Sequence, residues 1–262
     1  MKKPQYIKAS SIEEAIFLLG STEGVSVPLA GGTDLLVRKR IEDPDYDRLV
    51  DVSRISEIQK VSNFENMLAL GSGVTFSELI INKLIPNNLS VLIKACNSIG
   101  SPQIRNAGTL GGNVANAAAC ADSLPALVCF DTVIQLISLE KTRKVLVSDF
   151  VLGPHKTILE RGELINLFFI NLPPAHVKSH FIKVGRRNAQ SISRLSIAAS
   201  GGSNLNGIID FIRICPGAAT PKTIRFTSLE SLLLGQKPGM DIFKEAGELA
   251  AKTMIEITGR RW

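Results

Sequence analysis

Aromatic side chains are scarce in this chain. They make up 5% of it, with one Trp and two Tyr, which leaves little surface on which nucleic-acid bases could stack. Cysteine is sparse too. Cys96, Cys120, Cys129 and Cys215 form no C-x-x-C pair and no zinc-type spacing, so neither a disulfide framework nor a metal knuckle is written into them. They read as reduced, mostly buried thiols of a cytoplasmic protein. The three histidines, His155, His176 and His180, are too isolated to form a metal site. The last two have helical spacing, but Pro173-Pro174 before them and the strand-like Phe181-Ile182 after them argue against a helix. No run approaches the ~18–20 apolar residues of a membrane span. The first residues, Met1-Lys2-Lys3-Pro4-Gln5-Tyr6, lack the apolar centre of a signal peptide.

What remains is an ordinary globular composition. The 262 residues are 45% hydrophobic and 21% charged, enough for one large domain or two smaller ones with a real core. Net charge is +6, and the basic residues are scattered apart from Arg38-Lys39-Arg40, Arg186-Arg187 and Arg260-Arg261. Such short clusters suit a solvated surface, a phosphate-bearing ligand or an acidic partner better than a nucleic-acid stripe.

Ser10 or Ser11 can cap a helix carrying Ile12, Ala15, Ile16 and Leu19, with Glu13 and Glu14 in its first turn. Gly20 to Gly24 ends it. Val25 to Ala30 reads as a buried strand that runs into Gly31-Gly32-Thr33-Asp34, after which Leu35 to Arg38 turns helical. Beyond Pro44, Arg48 to Val52 is a second strand, so this region is a small β-α-β unit. A strand, a glycine turn and a helix start aim backbone donors at a phosphate. The turn is neither a P-loop nor a G-x-G-x-x-G fingerprint.

From Ser53 onward, Met67 to Gly71 is strand-like and Gly71-Ser72-Gly73 a turn. Thr75 and Glu78 have capping-box spacing before Leu79-Ile80-Ile81. Ser90 starts another helix, and Ala126 to Phe130 ends one. Thr132 to Leu139 and Lys144 to Val147 form a hairpin, and Leu164 to Leu172 a strand closed by Pro173-Pro174. Phe181 to Gly185, Ile192 to Ser203 and Gly207 to Cys215 read as a meander. Arg225 to Leu234 and Asp241 to Ile257 read as amphipathic helices. Boundaries near 56 and 177 mark subdomains that share a core.

The stretch from Ile99 to Pro125 is rich in glycine, hydroxyls and amides and poor in acid–base side chains. Gly108, Gly111 and Gly112 permit positive φ and close approach. Successive N–H groups there would cradle an anion. A tight turn between two buried segments fits the same composition.

Ala30-Gly31-Gly32-Thr33-Asp34-Leu35, followed by Gln103-Ile104-Arg105-Asn106 and Gly108-Thr109-Leu110-Gly111-Gly112-Asn113, resembles the FAD-binding medium subunits of the molybdenum hydroxylases. That family includes xanthine, nicotinate and carbon-monoxide dehydrogenases. Phe181 to Arg187 and Gly217-Ala218-Ala219-Thr220-Pro221 also sit where the family has similar segments. The resemblance implies an α+β fold: a vanillyl-alcohol-oxidase (PCMH)-type FAD-binding domain of two α+β subdomains, residues 1–56 and 57–177. A C-terminal α/β domain of the CO-dehydrogenase flavoprotein type, residues 178–262, would follow.

It further implies that two glycine loops hold the pyrophosphate of noncovalent FAD. The first runs through Leu29, Ala30, Gly31, Gly32, Thr33, Asp34 and Leu35, and the second holds Thr109, Gly111, Gly112, Asn113 and Asn116. Ile99 and Leu164 would lie near the isoalloxazine ring. Asp122 would meet a ribose or ribityl hydroxyl, or else cap the segment that follows it. Lys183 would approach the ring as a cation, or else be a surface lysine at a strand end. Partners would be a small 2Fe-2S subunit and a large molybdopterin subunit, with NAD+ or another molecule as electron acceptor. The assembly would be a xanthine/purine- or nicotinate-type dehydrogenase in the cytoplasm. The start at Met1 suggests a separate medium subunit, and the scattered cysteines argue against the iron–sulfur insertion of the 4-hydroxybenzoyl-CoA reductase branch. Family members continue past the region of Gly259-Arg260-Arg261, whereas this sequence stops at Trp262, which raises the expectation of a shortened C-terminal domain. Two other functions stay open: a self-sufficient FAD oxidase of the same fold, and a basic module binding nucleic acid or acidic proteins.

Overall fold

The structure, a computed structural model, describes residues 3–42, 46–187 and 190–259. Met1, Lys2, Pro44, Arg260, Arg261 and Trp262 lie outside the described residues. Each of the three larger sheets is drawn from one contiguous stretch of chain.

The first stretch runs β1 (Gln5–Lys8), α1 (Ile12–Gly20), β2 (Ser26–Leu29), α2 (Leu35–Glu42) and β3 (Arg48–Asp51). Ser11 caps α1 by accepting from the Glu14 amide at 3.2 Å. The expected β-α-β unit is present, but β1 adds a strand, and the sheet is parallel in the order β1-β3-β2. β1 escapes sequence reading because it lies at a sheet edge with no buried residue, so it carries no apolar alternation to detect.

The second stretch holds β4 (Val61–Phe64), β5 (Met67–Gly71), α3 (Phe76–Ile81), α4 (Ser90–Asn97), α5 (Pro102–Ala107), α6 (Leu110–Asn116) and α7 (Ser123–Cys129). It continues through β6 (Val133–Ile137), β7 (Thr142–Leu146), α8 (Val147–Phe150), β8 (Val151–Gly153), β9 (Lys156–Thr157) and β10 (Leu164–Asn171). Its sheet has the order β4-β5-β10-β6-β7 and is antiparallel. The apolar run of β10 occupies the centre, where Phe168 is fully buried beside Leu68, Leu70 and Phe150. The Thr75–Glu78 capping box forms at the start of α3. All of α7 is buried, as its uncharged sequence Ser-Leu-Pro-Ala-Leu-Val-Cys allows.

The third stretch is an antiparallel meander of β11 (Lys178–Gly185), β12 (Ser193–Ser203) and β13 (Ile209–Gly217), then α9 (Thr227–Leu233) and α10 (Met240–Thr258). Its inner face packs on α4 and α7. A Cβ on Gly217 would stand 2.8 Å from Pro125 Cγ, so β13 meets α7 where neither side has volume to spare. Among the described residues no helix is long and apolar enough to cross a membrane.

Candidate functional site

Three glycine-bearing segments meet at one cavity of about 570 Å³. The first follows β2, the second is Gly71-Ser72-Gly73, and the third spans the junction of α5 and α6. They approach more closely than side chains would permit. A Cβ on Gly31 would lie 1.7 Å from the Ala107 carbonyl oxygen, and one on Gly111 would lie 2.6 Å from Ser72 Cβ.

The two motifs offer different chemistry. Residues 31–35 lead from β2 into α2, with Gly32 at φ +68°, and their amide N–H groups have no acceptor among the described residues. Consecutive unpaired donors at the start of a helix attract an anion. The second motif departs from the expected turn. Gly111 and Gly112 lie inside α6, and none of Gly108, Gly111 and Gly112 has positive φ. Their amides are already used: Gly108 N donates to Ile104 O, Gly111 N to Ser72 O, and Gly112 N to Thr109 Oγ1 at 3.1 Å. Glycine is a poor helix former. It is needed at 111 because Ser72 leaves no room, and at 112 a Cβ would meet only Thr109 Oγ1, at 3.0 Å. The second motif therefore presents side chains. Thr109 accepts from Gly112, which leaves its own hydroxyl proton for a ligand. Asn113 Oδ1 accepts from Ser123 at 2.6 Å, which leaves the amide NH₂.

Of the residues singled out in the sequence, Ala30, Gly31, Gly32, Thr33, Asp34, Leu35, Ile99, Thr109, Gly111, Gly112, Asn113, Asn116, Asp122, Leu164 and Lys183 all line this cavity. Leu29 does not. It is buried, and its side chain packs with Tyr46 and Leu49 in a small core. Asp122 does not cap α7: it has helical dihedrals and makes no side-chain cap bond. Its carboxylate instead takes the Ser193 hydroxyl at 2.5 Å and the Lys183 ammonium at 2.6 Å. Lys183 is not a surface lysine, since its side chain is 15% exposed.

A profile described as the FAD-binding domain in molybdopterin dehydrogenase matches residues 2–173. The chain belongs to that family. Similar relatives include the xanthine dehydrogenase FAD-binding subunit of Escherichia coli O157:H7, 34% identical over 222 residues, which cover 84% of this chain and 75% of the relative. The nicotinate dehydrogenase FAD-subunit of Eubacterium barkeri is 27% identical and covers 100% of this chain and 90% of its own length. Among solved structures, the carbon monoxide dehydrogenase of Hydrogenophaga pseudoflava superposes with a TM-score of 0.89 at 24% identity, covering 96% of this chain and 87% of that one. That likeness shows the fold, which is the PCMH-type arrangement.

The cavity of this molybdopterin-dehydrogenase FAD domain fits the cofactor its family binds. Its volume lies within the roughly 300–1,000 Å³ of small-molecule sites, and a dianionic pyrophosphate needs the donors that residues 31–35 leave unpaired. The missing Cβ at Gly112 leaves the wall open at Thr109 and Asn113.

Several lining residues carried no sequence signal. Ser72 stands in a glycine turn and Ser193 at a strand, and neither residue type marks a site by itself. Glu163 is 4% exposed and is held by Arg143 through Nε–Oε1 at 2.6 Å and Nη2–Oε2 at 2.7 Å. Burial alone would raise its pKa, but the Arg143 hydrogen bonds and the Glu160 amide bring it below the usual carboxylate value. Cys120 also lines the cavity; burial and then the Asp122 charge raise its pKa. Cys96 and Cys129 are buried, and desolvation pushes each up to about 12. Cys215 moves the same way for the same reason.

Proposed function

We propose that this chain is the electron-transfer subunit of a multi-subunit molybdenum hydroxylase, with its FAD held between the two glycine motifs. The observation that carries this reading is the division of donors around one cavity: free backbone amides at 31–35 on one side, Thr109 and Asn113 side chains on the other. The amides and these two polar groups would bind the pyrophosphate without placing a mobile charged side chain against it. Ile99 and Leu164 would supply apolar wall for the ring. Subdomain boundaries near 56 and 177 fall between the sheets.

Bound FAD supplies a carrier that accepts electrons from one partner and releases them to another. The protein's own groups hold and orient it. Glu163 is engaged by Arg143, and Asp122 by Lys183, so these carboxylates serve as fixed structure more readily than as mobile bases. The relatives named xanthine dehydrogenase and nicotinate dehydrogenase subunits support an assembly that oxidises a purine or a pyridine. A relative named the nicotine 6-hydroxylase medium subunit supports a medium-subunit role beside a 2Fe-2S and a molybdopterin subunit. NAD+ is the acceptor to test first.

The experiment is to purify the chain, denature it and identify the released flavin. Stoichiometric FAD supports the reading; FMN, or no flavin after incubation with FAD, overturns it. Anaerobic addition of hypoxanthine or nicotinate should leave the isolated flavoprotein yellow and bleach it once the partner subunits are present. Bleaching of the isolated chain would instead indicate a self-sufficient oxidase.

A further inference from the structure

Lys183 enters the cavity wall against the hydrophobic pattern of its own strand. Along β11 the inward residues are Ser179, Phe181 and Lys183, while Ile182 and Val184 are 59% and 53% exposed. Phe181 anchors this face of the strand, but at its C-terminal end a lysine takes the inward place and two β-branched apolar residues the outward ones, which burial of apolar surface does not favour at those positions. Something other than burial therefore holds the lysine inside.

That hold comes from three elements. Lys183 Nζ donates to Asp122 Oδ2 at 2.6 Å, before α7, and to the Ser98 carbonyl at 3.0 Å, just past the end of α4. Asp122 is 4% exposed, and Ser193 on β12 donates to its Oδ1 at 2.5 Å. Ser98 Oγ stands 3.2 Å from Oδ2, with its proton shared with the Ala95 carbonyl at 2.7 Å. A buried ion pair is weak support for stability, because desolvating both charges offsets their attraction. An ammonium has three donors. Two are used here, and the side chain lines the cavity, so the third remains for a ligand.

We propose that Asp122 is a positioning residue that fixes Lys183 at the wall of the flavin cavity and, by partly neutralising it, sets the positive charge the flavin experiences and hence its reduction potential. This rests on the FAD reading above. A cation beside the cofactor favours the reduced form, which carries more negative charge. A carboxylate touching that cation weakens its field, strongly so where water is excluded.

The test uses the full chain loaded with FAD, with bound flavin quantified and its midpoint potential measured by anaerobic dye equilibration. Asp122→Asn should retain FAD and shift the potential upward, because Lys183 loses its counter-charge. Lys183→Met should shift it downward, and Lys183→Arg should stay near wild type. The double variant Asp122→Asn/Lys183→Met should return toward the wild-type value, since one neutral pair replaces another. An unchanged potential in FAD-loaded Asp122→Asn overturns the proposal. So does weaker FAD binding at unchanged potential, which would make Asp122 a direct ligand of a cofactor hydroxyl. If Asp122→Asn does not fold, Ser193→Ala, which removes a donor that holds the Asp122 carboxylate, takes its place: a shifted potential with FAD retained supports the proposal, and an unchanged one overturns it. Failure of the wild-type chain to bind FAD would overturn the functional reading instead, so the two failures are distinguishable.

Discussion

Gly31→Ala probes the contact between the two glycine motifs. Gly31 does not have positive φ, so alanine introduces no backbone strain and its effect is purely steric. The new Cβ would lie 1.7 Å from Ala107 O, 2.3 Å from Ala107 C and 3.0 Å from Gly108 N. An ordinary carbon–oxygen approach is about 3.3 Å or more, so the segments must separate by roughly 1.6 Å. Every atom in the way is backbone, and no rotamer can relieve the clash. The obstructing segment is also tied down, since Gly108 N donates to Ile104 O at 2.7 Å and Phe76 N to Gly108 O at 3.0 Å. Overpacking costs about 1–3 kcal/mol, and weakening one of those hydrogen bonds adds about 1 kcal/mol. The expected loss in the cofactor-free protein is therefore about 2–4 kcal/mol, measured by urea unfolding at unchanged m. FAD affinity, followed by flavin fluorescence quenching, should fall at least tenfold (about 1.4 kcal/mol) as the first motif moves off the second. A variant within about 0.5 kcal/mol of wild type that binds FAD normally would refute the close approach.

Gly112→Ala should separate binding from folding. It adds a better helix former, worth about 0.5–1 kcal/mol, at a position where a Cβ meets only Thr109 Oγ1, so cofactor-free stability should hold or rise while FAD affinity drops; equal loss of both would contradict the assigned geometry. In thiol labelling at pH 8, Cys120 should react in the cofactor-free protein and be protected by FAD. Cys96 and Cys129, pushed up to about 12 by burial, are only about one part in 10⁴ ionised there and should react on unfolding; rapid labelling of either in the native state would count against the core. Acid should destabilise the fold through Asp51 and Glu163. For Asp51, burial raises the pKa, but hydrogen bonds from Tyr6 and Ser53 bring it down on balance, as those from Arg143 do for Glu163. A carboxyl lowered in the folded state stabilises it above the unfolded pKa of about 4 and loses that contribution as pH falls through the folded value. Urea midpoints should thus be flat from about pH 7 to 5 and drop below about 4, less steeply in Glu163→Gln; an identical slope in that variant would remove Glu163 from the account.

Local features read well from the sequence because their causes are local. The Ser11 cap, the Thr75–Glu78 capping box and the apolar run of β10 each depend on neighbours a few residues away. The edge strand β1 did not read, since it exists only through pairing with Arg48–Asp51 some forty residues on. Nor did α6, whose two glycines suit a turn; Thr109 caps it and Ser72 O accepts from Gly111 N, so the segment is helical despite its glycines.

The candidate site divides in the same way. That two glycine motifs let backbone come close follows from residue type alone, because the absence of a Cβ is a property of the residue. Which motif keeps its amides free depends on tertiary structure: Ser72 and Val74, between β5 and α3, accept from Gly111 and Leu110 at the start of α6, while no acceptor among the described residues is placed against the amides of residues 31–35. The same holds for Asp122, Lys183 and Ser193. They come from three separated segments, and whether a carboxylate meets a ligand, a helix end or a lysine depends on which element the folded chain places within 3 Å of it.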